Sequence, residues 1–373
     1  MASSNSNIAP ANQRVCLLGK SMDELRALAV SLGEPSYRGS QIYRALYAER
    51  VRAIDEISSL PLDLRRRLDA MAQLSLPKIA RRHHSADGTV RYVLRLGSAP
   101  PADAATVEAV FMPEDKRQTI CISTQAGCAV NCRFCLTATL GLLRNLTAGE
   151  IIAQVLVSLD DNRGALKPQT NVVLMGQGEP LLNYDAVMAA LRILLDSKGV
   201  AISPKHVTLS TSGIIPGIEK LGKEPVRPKL AISLNASSDE QRDTIMPINR
   251  KYPLKDLLDA CGNYPLRPWE HLTFEYVLLG GFNDHPEDAQ RVAKLISNLR
   301  AKVNLIPWNP GELPYHSPDA ARVELFRKIL ADKGHRVFVR YSRGQDVMAA
   351  CGQLALLESS EIVPAHAISP GSR

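Results

Sequence analysis

Thr119-Ile-Cys-Ile-Ser-Thr-Gln-Ala-Gly-Cys-Ala-Val-Asn-Cys-Arg-Phe-Cys135 joins an apolar alternation to a loop with three cysteines at CxxxCxxC spacing. The alternation predicts a strand over 119–123. Iron–sulfur clusters are normally held by four thiolates. A loop offering Cys128, Cys132 and Cys135 alone would therefore hold a cubane cluster with one iron open to a substrate or cosubstrate. Cys121 lies seven residues before Cys128, and four cysteines within fifteen residues also suit a structural zinc site. Inert buried thiols are the third reading. Disulfides fit poorly in a long chain whose Ser/Asn/Ala-rich first 13 residues have no charged n-region and no apolar h-region.

The chain has 373 residues, 45% hydrophobic and 22% charged, the make-up of a soluble globular protein with one large and one smaller domain. No apolar run approaches the roughly 20 residues needed to span a bilayer, so a cytoplasmic location without membrane attachment is expected. The net charge of +7 is uneven. Residues 1–100 hold 15 Lys and Arg against 9 Asp and Glu, and the other 273 hold 30 against 29. A polyanionic partner, RNA or DNA, would explain this, as would an ordinary solvated basic face.

Outward from the cysteine loop, the chain divides into five stretches: a tail over 1–19, basic helices over 20–75, a β extension over 76–117, β/α units over 118–345, and a C-terminal loop and tail over 346–373. Ser21-Met-Asp-Glu24 predicts a helix start, with Leu25, Leu28, Ala29 and Leu32 on its apolar face. Further helices are expected over 39–50 and from Pro61 through Met71. Residues 89–96 and 105–112 alternate as strands, joined by a loop over 98–104. Arg81-Arg-His-His84 before them suits either a phosphate contact or an exposed turn. Beyond 118, strands are expected near 119–123, 171–175, 206–210, 229–234, 272–279, 302–306 and 336–341, with helices between them. Thr147-Ala-Gly-Glu150 is a capping box. Six consecutive β/α units predict a parallel sheet covered by helices, either doubly wound or barrel-like, with chemistry at the carboxyl ends of the strands.

The cysteine triad resembles that of the radical S-adenosylmethionine (SAM) superfamily. More closely, residues 108–354 resemble the RlmN branch of the RlmN/Cfr family of RNA adenine methyltransferases. The likeness rests on Cys121-Ile-Ser-Thr-Gln-Ala-Gly-Cys128, Met175-Gly-Gln-Gly-Glu-Pro-Leu-Leu-Asn183, Val207-Thr-Leu-Ser-Thr-Ser-Gly213, Leu305-Ile-Pro-Trp-Asn-Pro310 and Ala349-Ala-Cys-Gly-Gln-Leu354. It implies an α/β fold: a partial (β/α)6 TIM-like barrel of the radical SAM type, with a small N-terminal helical domain and a short β extension.

The resemblance implies that Cys128, Cys132 and Cys135 bind a [4Fe-4S] cluster whose free iron chelates SAM. It implies that Gly178 and Glu179 grip the SAM amino group, and that Ser210, Ser233, Leu234, Asn235 and Asn309 make further SAM contacts. The implied activity is methylation at C2 of an adenosine in 23S rRNA and in tRNA, with two SAM per turnover. Adenine C2 has no lone pair and a feebly acidic hydrogen, so polar attack on the SAM methyl is implausible and a carbon radical is needed. In the family scheme Cys351 carries the methyl as methyl-cysteine, a 5′-deoxyadenosyl radical activates it, Cys121 closes a disulfide with Cys351 to release product, and Glu108 accepts the C2 proton. A flavodoxin-type reductase as electron donor and a monomeric state complete the expectation.

Gln177 and Asn235 depart from the Met and His common in relatives, and Cys16 and Cys261 match no motif. Cfr-type methylation at adenine C8 shares the same cysteines and stays open, as does a non-catalytic zinc-containing RNA-binding protein.

Overall fold

The computed structural model describes residues 14–97 and 105–355. The expected tails and the 98–104 loop therefore fall largely or wholly outside the described residues.

Seven strands pair in parallel and in strict chain order: Arg117–Cys121, Gln169–Leu174, Val207–Thr211, Lys229–Ser233, Leu272–Leu278, Ala301–Pro307 and Arg336–Val339. A doubly wound sheet reverses its strand order at a switch point. This order never reverses, which gives the barrel-like alternative. Apolar residues such as Ile120, Val172, Leu209, Leu230, Phe274 and Val303 are buried on the helix-facing side. The opposite face carries Cys121, Thr208, Ser210, Ser233 and Glu275, residues that line internal cavities.

Three antiparallel strands extend the sheet beyond Arg117–Cys121: Thr106–Pro113, Val90–Arg95 and Lys78–His84. The outermost contains Arg81-Arg-His-His84, which the sequence pattern assigned to a turn or phosphate contact. Its burial is mostly exposed or intermediate, so it has no apolar alternation to detect. Charged edge strands of this kind resist pairing with a second molecule.

The N-terminal helices are Met22–Ser31, Tyr37–Arg44 and Leu62–Met71, and the second continues through a wider-turned segment, Ala45–Glu49. Ser21 and Glu24 form a capping box: Ser21 Oγ accepts from Glu24 N at 3.2 Å and Glu24 Oε2 accepts from Ser21 N at 2.8 Å. The module docks on the helix Ala148–Asp161. Arg50 pairs with Asp160 at 2.9 Å, and Arg82 of the edge strand pairs with Asp161 at 2.6 Å. Part of the N-terminal positive charge is thus neutralised inside the molecule.

At the centre of that docking two glycines meet. A Cβ on Gly149 would lie 2.4 Å from Leu18 O, and one on Gly19 would lie 2.4 Å from Gly149 N. Both neighbours are backbone and cannot swing aside. Gly149→Ala is expected to cost about 1–3 kcal/mol through overpacking, read as a lower urea midpoint. An unchanged midpoint, with no gain in protease sensitivity near residue 20, would contradict this close-contact account.

Candidate active site

At the carboxyl ends of the parallel strands lies a cavity of about 170 Å³, lined by Cys128, Cys132 and Cys135. The cysteine loop is set by its own backbone bonds. Gln125–Gly127 pairs with Leu142–Asn145, Cys128 N donates to Gly141 O at 2.8 Å, and Cys135 N donates to Cys132 O at 3.2 Å. Trp308 Nε1 donates to Phe134 O at 3.0 Å and anchors the loop from the far side of the barrel. Burial raises all three thiols, Cys128 to about 11. A bound cation reverses that preference and takes them as thiolates.

Among the described residues, no three His, Cys, Asp or Glu side chains stand close enough to share one metal ion. All three thiols line the same cavity, which fits a cluster whose thiolates bind different irons. Cys121 lines a different cavity.

The Gly176-Gln-Gly-Glu179 turn forms the next wall. Gly178 has φ +100, and a Cβ there would lie 2.6 Å from the Gln125 side chain. Gln125 Oε1 in turn accepts from Glu179 N at 2.8 Å. Glu179 is buried. Its Oε1 accepts from Leu181 N at 3.0 Å and its Oε2 from Ser212 N at 2.7 Å. Each carboxylate oxygen has a second lone pair, so capacity remains for an ammonium in the cavity. Burial raises the Glu179 pKa despite these bonds, and a neighbouring cation would stabilise its charge. These acceptors and the cavity beside the triad fit a SAM amino acid group.

Of the other expected SAM contacts, Ser210, Ser233, Asn235 and Asn309 also line this cavity. Leu234 does not: its side chain is fully buried in the core, and its carbonyl accepts from Arg242 Nε at 3.0 Å. Asn235 has φ +58, a region Asn tolerates better than most residues, and its Oδ1 accepts from Val277 N at 2.9 Å. Asn309 Nδ2 donates to Ser342 Oγ at 2.9 Å and to Cys351 O at 3.1 Å. It therefore positions the Cys351 loop as well as lining the cavity.

A second chamber, about 350 Å³, lies deeper in the barrel and is lined by Cys121 and Cys351 among others. Cys351 lines both chambers. Leu136 N donates to Gly352 O at 2.8 Å, and Thr137 Oγ1 donates to Leu354 O at 2.7 Å. These bonds hold the Cys351 loop against the triad loop. Cys351 is exposed to these chambers, and desolvation by the walls around it, with the nearby Glu275 and Cys135, raises its thiol to about 12.

Glu108 lies elsewhere. It is fully buried, paired with Arg91 at 2.6 Å, and lines neither chamber. It shares a sheet face with Val110, which pairs with Cys121. Two residues that sequence reasoning passed over are central. Glu275 is half-buried and lines both chambers, where its Oε2 accepts from Ser210 Oγ at 2.9 Å. A carboxylate inside the apolar strand Leu272-Thr-Phe-Glu-Tyr-Val-Leu278 was its readable signal. Arg242 is fully buried, and its guanidinium donates to Ser212 O at 2.7 Å and Ser233 O at 3.1 Å, tying two strand ends together. No local pattern announces it.

Residues 15–74 match the model of the ribosomal RNA large subunit methyltransferase N-terminal domain, and residues 122–296 that of the radical SAM superfamily. The chain is 47% identical over 345 residues to a probable dual-specificity RNA methyltransferase RlmN of Koribacter versatilis, covering 88% of this chain and 98% of that one. It is 48% identical over 343 residues to the dual-specificity RNA methyltransferase RlmN of Anaeromyxobacter sp. strain Fw109-5, covering 90% and 89%. The chain belongs to the RlmN family. A crystal structure of a radical SAM methyltransferase from Sphaerobacter thermophilus superposes with a TM-score of 0.86 at 39% identity, covering 91% of this chain and 99% of that one.

RlmN membership makes the protein a radical SAM RNA methyltransferase that uses a [4Fe-4S] cluster and SAM. It also removes the non-catalytic zinc protein. No helix among the described residues is long and apolar enough to cross a membrane.

Separate chambers predict separate phenotypes. After anaerobic reconstitution, Cys132→Ala is expected to lose the iron and sulfide of the cluster, whereas Cys121→Ala and Cys351→Ala retain both. Loss of iron from Cys121→Ala would return Cys121 to the ligand set.

Proposed function

We propose that the enzyme methylates C2 of an adenosine in 23S rRNA and in tRNA, with Cys351 as the methyl carrier. One observation carries this reading. Cys351 borders both the triad chamber and the chamber holding Cys121, so one thiol reaches the cofactor side and the substrate side. The relatives are named dual-specificity RNA methyltransferases, and the N-terminal match is to a ribosomal RNA large subunit methyltransferase domain, which supports an RNA substrate.

Cys128, Cys132 and Cys135 hold the cluster, and Gly178, Glu179, Ser210, Ser233, Asn235 and Asn309 surround SAM, with Leu234 contributing through its backbone. When bound, the cluster and SAM supply the methyl group and the radical chemistry that activates it on carbon. Cys351 takes the methyl on sulfur, which requires loss of its thiol proton at a site where desolvation opposes ionisation. Glu275 is the carboxylate that borders the same two chambers. After the carbon is joined to adenine, the Cys121 thiolate attacks the Cys351 sulfur, the S–S bond forms as the S–C bond breaks, and the departing carbon keeps that electron pair and takes a proton to become the methyl group.

Glu108 is assigned as acceptor of the C2 proton. For this its carboxylate must part from Arg91, and a conformational change on RNA binding would supply the opening. A flavodoxin-type reductase feeds the cluster, and the enzyme acts as a monomer in the cytoplasm.

Nucleoside mass spectrometry of 23S rRNA and tRNA after anaerobic reaction with SAM and a reductant should show 2-methyladenosine. The C8 isomer instead would assign Cfr-type chemistry. Cys351→Ala should yield neither product, and methylation by that variant would refute the carrier. Cys121→Ala should accumulate protein covalently joined to RNA, visible as a nuclease-sensitive shift on a denaturing gel.

A further inference from the structure

The deeper chamber is strongly cationic. Arg117, His206, Lys229, Lys302, Arg340 and Arg343 line it with a single carboxylate, Glu275. Most of these groups sit at or near the amino-terminal ends of the parallel strands, opposite the triad. Arg117 has Glu114, Arg340 Nε donates to Asn304 Oδ1, and Arg343 Nε donates to Asp87 Oδ2. Lys229 and Lys302 are different. Thr208 pairs with Lys229 and Thr273 with Lys302, which sets both on the lumen face. Neither ammonium makes a hydrogen bond or ion pair among the described residues, and Glu270 and Glu275 act on them only at longer range. Burial and neighbouring positive charge lower both pKa values. Two half-buried ammonium groups facing one cavity are costly without a counter-anion.

Two exposed aromatics accompany these cations. Tyr341, 69% exposed, lines the chamber. Trp269, 39% exposed, precedes the strand Leu272–Leu278 and has Lys205 Nζ 5.3 Å and the Arg267 guanidinium 5.4 Å from its ring centre. Cations interleaved with exposed rings are the chemistry of single-stranded RNA binding, in which phosphates pair and bases stack.

We propose that the RNA strand enters the barrel from the amino-terminal ends of its parallel strands, seating a phosphodiester beside the target nucleotide on Lys229 and Lys302. This rests on the RNA methyltransferase reading. An enzyme acting on a base must take it out of the stack. With the phosphate held low in the chamber, the extruded base points toward Cys121 and Cys351, while SAM approaches Cys351 from the carboxyl-end chamber. Substrate and cofactor then reach one thiol from opposite ends of the barrel. The basic N-terminal helices take no part in seating this phosphate, so the chamber is a second electrostatic footprint.

The test uses full-length, cluster-loaded protein and in vitro transcribed 23S rRNA, with affinity measured against salt concentration. Lys229→Gln with Lys302→Gln is expected to weaken binding about tenfold and to flatten the salt slope by about 0.7 for each phosphate no longer neutralised. KM for RNA should rise and SAM affinity should stay the same. Lys302→Arg, which keeps the charge, should bind RNA like the parent. Unchanged affinity and slope in the double variant would overturn the proposal, as would equal losses in Lys302→Arg and Lys302→Gln. Inorganic phosphate binding abolished in the double variant, with RNA affinity intact, would assign the cations to a free anion and also overturn it. If the parent enzyme methylates neither RNA, the methyltransferase reading itself fails, a separate result.

Discussion

Two hydrogen bonds, from Leu136 N to Gly352 O and from Thr137 Oγ1 to Leu354 O, join the loop after the cysteine triad to the loop that carries Cys351. The partners lie more than 200 residues apart in sequence. The parallel sheet never closes: its first strand, Arg117–Cys121, and its last, Arg336–Val339, do not pair, and Ala349 and Leu354 of the C-terminal loop pack with Cys121 of the first strand. A closed barrel would fill its centre with side chains. This one keeps a lumen because a loop, rather than an eighth strand, completes the wall.

The polar groups around the lumen are held from behind. Arg242 bonds the carbonyls of Ser212, Leu234 and Ser233, so the ends of two strands cannot drift apart. Gln125 accepts from the Glu179 amide, the Ser212 amide donates to the Glu179 carboxylate, and Asn309 fixes the Cys351 loop. Desolvation lowers the Arg242 pKa to about 10, still well above neutrality, so the guanidinium stays charged among neutral acceptors. Such a network is stable only when every member is satisfied, which makes the site rigid where it binds cofactor.

Most strands and helices were legible, because apolar alternation and capping boxes such as Thr147–Glu150 are local signals. Those that escaped had non-local causes. Lys78–His84 is a strand only because Val90–Arg95 supplies a partner, and its composition resembles a loop. Strand order settled barrel against doubly wound sheet, and no single segment encodes that order. The triad and the Gly-Gln-Gly-Glu turn were visible as motifs. Glu275, Arg242 and Trp308 draw their importance from neighbours distant in sequence. The pairing of Glu108 with Arg91 was equally hidden, since register alone brings these two residues together.

The close approach of Gly19 and Gly149 leaves no room for a side chain between the N-terminal helices and the barrel. A tethered domain would meet its partner at any separation; this one is welded at a fixed distance and angle from the lumen. A folded RNA that touches both surfaces must present its target base at one set offset from its neighbouring helix. Under the proposed function, such a joint acts as a caliper: two RNAs with different sequences would satisfy it if their folds shared that offset.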